Sequence, residues 1–372
     1  MKRNKNLIIG LVILLVIVLF GGYQMRARTH FRHNVTINGI NVGGMTVSQA
    51  QSKVNANQEG KLVFQNGKVV RDKKLGSEQK LSTTDIQKMF NDQRRMLPGR
   101  AQHFQKYYHG TQSSKTHLQA LVGRKVSYNL NGSTYTFKAN DLLNGTTYED
   151  GAYHVNPAAI TSQLNKINSE KSTMGKTYHV TTPEGVKSVK AKTYGWDIDV
   201  SKASNAIANA LTTNKQSVNG GNYLKGNAFN IYGTGYGVKA NGGIGKNYVA
   251  VSLAKQHLWV YKNNKVVTSI DIVSGTNNGN DNTPTGVFYI GYKQSPSVLR
   301  GKNSNGSDYA SKVSRWMPFT EDGCGIHDAS WRDDWSSSAW QSNGSHGCLN
   351  VRPSQIDEVW NNVDKDEPVV IF

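Results

Sequence analysis

Residues 323–352 read GCGIHDASWRDDWSSSAWQSNGSHGCLNVR, and they contain both cysteines of the 372-residue chain and two of its ten histidines. Cys348 lies in the segment SHGCLN, where a glycine lets backbone N–H groups approach whatever the sulfur attacks. His327 lies 21 residues earlier, a separation that suits two neighbouring strands or loops. Free cysteine has a pKa of about 8.5 and is mostly protonated at neutral pH, so a reactive thiol needs such a partner. The stretch therefore predicts a cysteine nucleophile served by a histidine.

Three kinds of site are compatible with these residues. The first is a cysteine acyltransferase, with His327 as the base and Cys348 as the nucleophile. The second is tetrahedral zinc, because Cys324-x-x-His327 and His346-x-Cys348 supply four soft ligands. The third is a packed structural cluster. Zinc is disfavoured because four protein ligands would close the site and consume the nucleophile.

A wider set of motifs resembles the active-site signature of the L,D-transpeptidase (YkuD) family. The signature consists of IHD at 326–328, a spacer of 16 residues, SHGC at 345–348 and Asn350. NTPTGVF at 282–288 resembles the entry to the family's catalytic sheet, and RWMPF at 315–319 precedes the histidine. The resemblance covers roughly residue 246 to the C terminus. It implies a mainly β catalytic domain, a sandwich or half-open barrel with the cysteine on a loop between strands.

The same resemblance implies an activity that uses neither a cofactor nor a metal. Cys348 attacks the carbonyl of the third residue of a tetrapeptide stem of peptidoglycan, expels the terminal D-alanine and passes the acyl group to an amine of another stem. The product is a 3→3 cross-link. Carbapenems are implied to acylate the same thiol. With water as acceptor the enzyme would instead be an L,D-carboxypeptidase, and the residues do not separate the two. A non-catalytic wall-binding protein is disfavoured because the signature is intact.

Roles for individual side chains also follow from the resemblance. Besides Cys348 and His327, Asp328 orients the imidazole through its backbone carbonyl or its carboxylate, and the N–H groups around Gly347 form an oxyanion hole. The residues implied to shape the loop or to contact the substrate are Ser345, His346, Trp331, Asn350, Arg352 and Tyr309. Cys324 departs from the family pattern, which raises the prospect of an inhibitory disulfide with Cys348 under oxidation.

The net charge of +19 is distributed unevenly along the chain. From residue 246 onward there are 12 Lys and Arg against 13 Asp and Glu, whereas residues 1–245 carry 32 against 12, or +20. Such a basic half often binds nucleic acid, but an exported chain meets anionic wall polymers and peptidoglycan carboxylates instead. The expected partners are therefore stem peptides and anionic wall polymers, with no nucleic acid. The alternative is an ordinary solvated surface.

Residues 7–23 form an uninterrupted run of apolar residues and glycine, 17 in all, preceded by Lys2, Arg3 and Lys5. Its length is at the short end of what spans a bilayer core. The positive flank places the N terminus in the cytoplasm, and no small-residue cleavage site follows. The run predicts a membrane anchor at residues 1–28. It also predicts a single-pass protein at the cell membrane, with the catalytic domain on the wall side.

Between the anchor and the catalytic half, the sequence predicts an α+β region at 29–218 and a Gly- and Asn-rich linker at 219–245, ahead of a catalytic domain at 246–372. An Asn-Gly turn at 38–39 predicts a hairpin, and the opening resembles a peptidoglycan-binding domain found ahead of L,D-transpeptidase domains. A rigid stalk that binds no ligand is the alternative. Further predicted elements are helices at 46–55, 157–169, 202–211 and 354–362, and strands at 125–138, 177–182, 248–253, 256–261 and 266–273.

Overall fold

The computed structural model describes residues 26–57, 60–73, 80–95, 100–104, 109–302 and 306–372. The chain forms two compact units. The first consists of Met1–Lys125, Lys138–Ala159 and Leu211–Asn214, and the second of Val126–Phe137, Ile160–Ala210 and Lys215–Phe372. All the predicted site residues belong to the second unit.

Many short elements precede residue 226. In chain order they are β1 Val35–Ile37, β2 Ile40–Asn41, α1 Val47–Ala56, β3 Lys61–Gln65, β4 Lys68–Asp72, α2 Thr83–Arg95, β5 Gln102–Phe104, α3 His109–Gln119, β6 Lys125–Leu130, β7 Ser133–Lys138, α4 Ala139–Leu142, β8 Thr147–Glu149, β9 Ala152–His154, α5 Ala158–Lys171, β10 Thr177–Thr182, β11 Gly185–Lys190, β12 Asp197–Ile198, α6 Val200–Thr212, β13 Ser217–Asn219 and β14 Leu224–Lys225.

The remaining elements build the part of the chain that carries the site. They are β15 Tyr248–Ser252, β16 His257–Lys262, β17 Lys265–Asp271, β18 Gly286–Tyr289, β19 Ser297–Lys302, β20 Asp308–Val313, β21 Trp316–Pro318, β22 Gly325–Asp328, β23 Leu349–Val351, α7 Ile356–Asn362 and β24 Pro368–Ile371. Strands predominate over the one helix in this part, so the prediction of a mainly β catalytic domain is confirmed.

The predicted hairpin lies near the start of the described part of the first unit. β1 pairs antiparallel with β2, and Asn38 and Gly39 have φ of 51° and 79°, the left-handed values that a two-residue hairpin turn requires. Helix α1 follows and is capped by Thr46, one of the two residues, with Ser48, that the sequence offers for this role. The hydroxyl of Thr46 accepts from the N–H of Gln49, and the Gln49 side chain accepts from the N–H of Thr46, which completes a capping box.

Two predicted helices in the middle of the chain are confirmed as α5 and α6. The N-terminal end of α6 is capped by Asp199, whose Oδ1 accepts from the N–H of Lys202 at 3.1 Å. Helices α2 and α3 were not predicted. In α2, Ile86, Met89 and Phe90 recur at helical spacing and are buried in the core of the first unit.

The central feature of the second unit is a five-stranded sheet of order β17-β16-β15-β24-β18. Both of its faces are covered, which explains why β15 and β24 are apolar at nearly every position. Val249 and Val251 of β15 point into one core, whereas the alternate residues Tyr248 and Ala250 point into the other.

The core that contains Tyr248 and Ala250 lies between the five-stranded sheet and the hairpin β10–β11. Tyr178 and Val180 pack there against residues of the five-stranded sheet, and the hydroxyl of Tyr248 donates to the carbonyl oxygen of Thr181 at 2.7 Å. A hairpin upstream of residue 218 thus belongs to the same compact unit as the catalytic sheet. Within residues 219–245, β14 pairs with β12, so this segment has regular structure in part. Its assignment as a linker stays a prediction.

The core that contains Val249 and Val251 lies between the five-stranded sheet and the sheet that carries the site. That second sheet has the order β21-β22-β23, and Met317, Ile326 and Leu349 from its three strands are fully buried against the first. Helix α7 closes the core with Ile356 and Val359. Removal of a buried side chain of this size costs about 2–5 kcal/mol, so the position of the site sheet is held firmly.

The predicted membrane localisation has to be corrected. No helix in the part of the chain that the structure describes is long and apolar enough to cross a membrane. The prediction of a single-pass membrane protein is therefore wrong on this finding. The run at residues 7–23, on which the predicted anchor rested, lies outside the described residues.

Candidate active site

A cavity of about 490 Å³ opens beside the three-stranded sheet and contains both predicted catalytic side chains, Cys348 and His327. The hairpin β19–β20 lines it on one side and the segment that follows β22 on another. Other lining residues that had been singled out from the sequence are Tyr309, Trp331, Ser345, His346 and Asn350.

His327 is held by the central strand of this sheet. In β22 it pairs with Trp316 of β21 on one side and with Asn350 of β23 on the other. The ring is buried, at 3 % exposure, and its Nδ1 donates to the backbone carbonyl oxygen of Asp328 at 2.8 Å. Burial lowers the pKa of His327, and the nearby Arg332 lowers it further. The imidazole is therefore neutral at pH 7, with its lone pair on Nε2.

Cys348 lies half-buried at the start of β23, and its thiol donates to the carbonyl oxygen of Gly323 at 3.4 Å. Burial raises the pKa of Cys348 to about 12, and Cys324 adds to the rise, while the N–H of Gly325 acts in the opposite direction. The resting pair is thus a neutral thiol and a neutral imidazole in one cavity. The proton has to move to His327 when the sulfur attacks.

The loop before Cys348 is shaped by local hydrogen bonds. The Ser345 hydroxyl donates to the carbonyl oxygen of Cys348 at 2.6 Å and accepts from the N–H of Gly347 at 3.1 Å. Gly347 has φ of 110°, a value that L side chains rarely adopt. Its N–H is directed at Ser345 in this structure, so its predicted role in an oxyanion hole stays a prediction.

Thr283 holds this loop through two hydrogen bonds of its hydroxyl group. Its hydroxyl donates to the carbonyl oxygen of Gly347 at 2.9 Å and accepts from the N–H of Gly275 at 2.8 Å. The side chain is 5 % exposed. Sequence reasoning noted Thr283 only as part of the motif NTPTGVF; its link to the nucleophile loop spans 64 residues and left no local signal.

Asp328 acts through its backbone rather than its carboxylate. The carbonyl oxygen receives the imidazole N–H, whereas the carboxylate accepts from the backbone N–H groups of Ser314 and Arg315 at 2.8 and 3.0 Å. The carboxylate therefore fixes the turn that leads into β21. Of the two orienting modes predicted for this residue, the structure shows the carbonyl.

The rings of Tyr309, His346 and Trp331 line the cavity that holds the Cys348 thiol and the His327 imidazole. The ring of Tyr309 stacks on His346 with centroids 5.5 Å apart, and burial raises the pKa of the Tyr309 hydroxyl, as does the nearby Cys348. Trp331 stacks near His327, at 5.8 Å, with about half of its surface exposed to the cavity and solvent. These surfaces suit the flat and apolar parts of a peptide substrate.

The structure does not bring every predicted residue to the cavity. The guanidinium of Arg352 lies over the ring of Trp335, 4.9 Å from its centroid, and Arg352 is not among the lining residues. In contrast, Arg332 and Asp322 line the cavity although sequence reasoning passed over them. Among the residues that the structure describes, no three His, Cys, Asp or Glu side chains are grouped so as to hold a metal ion.

The comparison with protein families assigns this part of the chain. Residues 246–371 match the YkuD family, described as the L,D-transpeptidase catalytic domain. These residues belong to that family. Within this L,D-transpeptidase domain the structure brings Cys348 and His327 into one cavity.

Solved structures of other proteins resemble the chain as well. The carbamoyl enzyme of Ldtfm with avibactam is 29% identical, with 69% of this chain and 96% of that chain covered and a TM-score of 0.52. A Cys-to-Ser mutant of the Enterococcus faecium L,D-transpeptidase is 28% identical, with 69% and 98% covered and a TM-score of 0.52. The covered share exceeds the L,D-transpeptidase domain, so the likeness extends upstream of residue 246. No curated protein gives a significant match.

Proposed function

We propose that the chain cross-links peptidoglycan as an L,D-transpeptidase, through an acyl-enzyme formed on Cys348 from a tetrapeptide stem. The observation that carries the proposal is the pairing of a protonated thiol with a neutral imidazole in one cavity of an L,D-transpeptidase domain. A neutral imidazole is a competent general base, because the lone pair of Nε2 can take the thiol proton once the Asn350 NH₂ that lies 3.2 Å from it gives way. The thiol then becomes the nucleophile that acyl transfer requires.

Acylation uses the two side chains in sequence. The thiol proton moves to Nε2 of His327 as Sγ bonds to the carbonyl carbon of the third stem residue. When the tetrahedral intermediate collapses, the bond to the terminal D-alanine breaks and its amine takes the proton from Nε2. A thioester remains on Cys348. The developing oxyanion needs N–H donors near the sulfur, and the N–H of Gly325 already faces it.

Transfer reverses these roles. The neutral amine of a second stem attacks the thioester carbon and loses a proton to Nε2 of His327. The carbon–sulfur bond breaks, and Sγ takes the proton back from the imidazole. An amide joins the two stems, and the enzyme returns to its neutral pair.

The test is incubation of residues 26–372 with purified tetrapeptide muropeptides, followed by mass spectrometry of the products. The proposal predicts a dimer that has lost one D-alanine, and no dimer with Cys348→Ala. Cys348→Ser is the matched control, since it keeps a hydroxyl of similar shape but a far poorer nucleophile. Formation of tripeptide without any dimer would replace the proposal by an L,D-carboxypeptidase.

For the region upstream of the L,D-transpeptidase domain we propose attachment to the wall. The support is its charge, +20 over residues 1–245, and its resemblance at the opening hairpin to a peptidoglycan-binding domain. Attraction between a basic surface and anionic polymers is screened by salt over a distance of about 8–10 Å. Binding of the full chain carrying Cys348→Ala to isolated walls should therefore weaken between 50 mM and 500 mM NaCl. Binding that salt leaves unchanged would point to contacts with the glycan instead.

A further inference from the structure

Arg332 is a half-buried cation that lines the cavity and that the chemistry described above does not use. Its Nε donates to Oδ1 of Asn350 at 3.1 Å, and its Nη1 donates to the carbonyl oxygen of Asn343 at 2.5 Å. The other end of the Asn350 amide, Nδ2, lies 3.2 Å from Nε2 of His327. The guanidinium thus reaches the catalytic imidazole through a single buried amide, which is 1 % exposed.

The chemistry of the three groups determines where each proton lies. A guanidinium has only donors, so the amide atom that faces it must be the oxygen. The NH₂ end of Asn350 then faces His327, and because NH₂ can only donate here, Nε2 must be the acceptor. At the opposite side of the ring, Nδ1 meets the carbonyl oxygen of Asp328 and must carry the proton. Both ends of the imidazole therefore specify the same neutral tautomer.

We propose that Arg332 is a positioning residue that acts through Asn350 to keep Nε2 of His327 unprotonated at rest, so that the thiol proton can replace the Asn350 hydrogen bond there. The inference rests on the proposed role of His327 as the base. Without a donor-only group at position 332, the Asn350 amide is free to rotate by half a turn. Its oxygen would then accept a hydrogen bond from a protonated Nε2 and would stabilise the imidazolium.

The other groups that face His327 do not supply this control. Trp316 and Trp331 are uncharged, and the Asp328 carboxylate is held by Ser314 and Arg315. Cys348, in the same cavity, is a neutral thiol at rest. Arg332 is the cation whose charge lowers the pKa of His327, while the Asp328 charge raises it. The charge of Arg332 and the orientation that it imposes on the Asn350 amide therefore both favour the neutral form of His327.

The test compares residues 26–372 carrying Arg332→Met, Arg332→Lys or no substitution. The imidazole of His327 is titrated by NMR with ¹⁵N-labelled histidine, and the rate of acylation of Cys348 by a carbapenem is followed by intact mass from pH 5 to 9. Arg332→Met should raise the pKa of His327 and move the acid limb of the acylation profile to higher pH. If the substitution raises the pKa of His327 by one unit, acylation at a pH below the pKa values of both proteins should be about tenfold slower in the variant. Arg332→Lys, which also has only donors, should restore the wild-type profile.

Arg315→Met is the matched control, because that guanidinium pairs with Asp357 and lies over Trp360 outside the cavity.

Asn350→Asp is a second variant that leaves Arg332 in place. It puts a carboxylate oxygen at Nε2 and should raise the pKa of His327 even where Arg332→Met fails to fold. An unchanged His327 titration in Arg332→Met, or in Asn350→Asp, would overturn the proposal, as would an equal loss of rate at every pH. The NMR titration needs no turnover, so it decides the proposal even if no transpeptidation is found.

Discussion

Nδ1 of His327 lies 2.8 Å from the backbone carbonyl oxygen of its chain neighbour Asp328, while the carboxylate of the same aspartate binds a different turn. A backbone carbonyl cannot be protonated or rotated away, so it keeps a proton on Nδ1 whether or not Nε2 is protonated. The imidazole that we propose as the base is thus oriented by the strand that carries it, through a backbone atom and not through the aspartate side chain.

Asp328→Ala should separate structure from catalysis. The substitution leaves the carbonyl in place but removes the acceptor of two backbone N–H groups, those of Ser314 and Arg315. We expect the free energy of unfolding to fall by about 1.5–3 kcal/mol, as for hydrogen bonds to a charged group. The acylation rate of the folded protein should fall less than tenfold, measured by intact mass with a carbapenem. A loss of about 10⁴-fold, as when the aspartate of a Ser-His-Asp triad is changed, would show that the carboxylate is part of the machinery.

Thr283→Val should loosen the nucleophile loop. The change keeps the shape of the side chain but leaves the carbonyl oxygen of Gly347 and the N–H of Gly275 without their buried partner. Each orphaned group costs about 1–3 kcal/mol, so chemical denaturation should show lower stability and the acylation rate should fall. Thr283→Ser keeps both hydrogen bonds and is the control. Equal effects of Val and Ser would mean that packing of the methyl group, and not the hydroxyl, holds the loop.

Much of the catalytic half was predictable because its signals are local. Strand alternation placed β15, β16 and β17 to within a few residues, and the signature brought Cys348 and His327 together. The capping box at Thr46 and the Asn38-Gly39 turn likewise depend only on neighbours a few residues away.

The features that the sequence did not predict depend on contacts between distant segments. The packing of β10–β11 against the catalytic sheet is set by side chains such as Tyr178 and Tyr248, 70 residues apart, and no spacing in the sequence reports it. The same holds for Arg332, which follows β22 and donates to Asn350 of β23, and for Arg352, which packs on Trp335 although it follows the signature directly. The membrane prediction rested on the apolar run at residues 7–23, on its basic flank and on the lack of a small-residue cleavage site after it.

Asp322→Asn should make Cys348 more reactive towards a simple alkylating agent. The Asp322 carboxylate lines the cavity, and its negative charge contributes to the raised pKa of Cys348, after burial and Cys324. Removal of that charge lowers the thiol pKa, so a larger thiolate fraction exists at any pH below it. The rate of carbamidomethylation of Cys348 by iodoacetamide at pH 8, read by peptide mass spectrometry, should rise. Asp333→Asn, an exposed carboxylate outside the cavity lining, is the control, and a rate that Asp322→Asn leaves unchanged would remove Asp322 from the thiol's environment.

Cys324 and Cys348 should form a reversible inhibitory disulfide. A Cβ atom built on Gly347 would meet Sγ of Cys324 at 2.7 Å, so the buried Cys324 thiol lies directly against the nucleophile loop. The two sulfurs are also close enough to interact electrostatically, since Cys324 raises the pKa of Cys348. Diamide, which takes up two hydrogen atoms as it joins two thiols, should convert the pair to the disulfide, and a thiol reductant should reverse it.

The readout is acylation by a carbapenem after diamide treatment, followed by intact mass. Because the nucleophile needs a free thiolate, the oxidised protein should form no adduct and should be lighter by two hydrogen atoms, and the reduced protein should be acylated fully. In Cys324→Ala, Cys348 has no partner within the chain, so diamide should leave acylation intact. Protection that persists in Cys324→Ala would mean that diamide acts on Cys348 by another route. Equal labelling of oxidised and reduced wild-type protein would show that the two sulfurs do not meet.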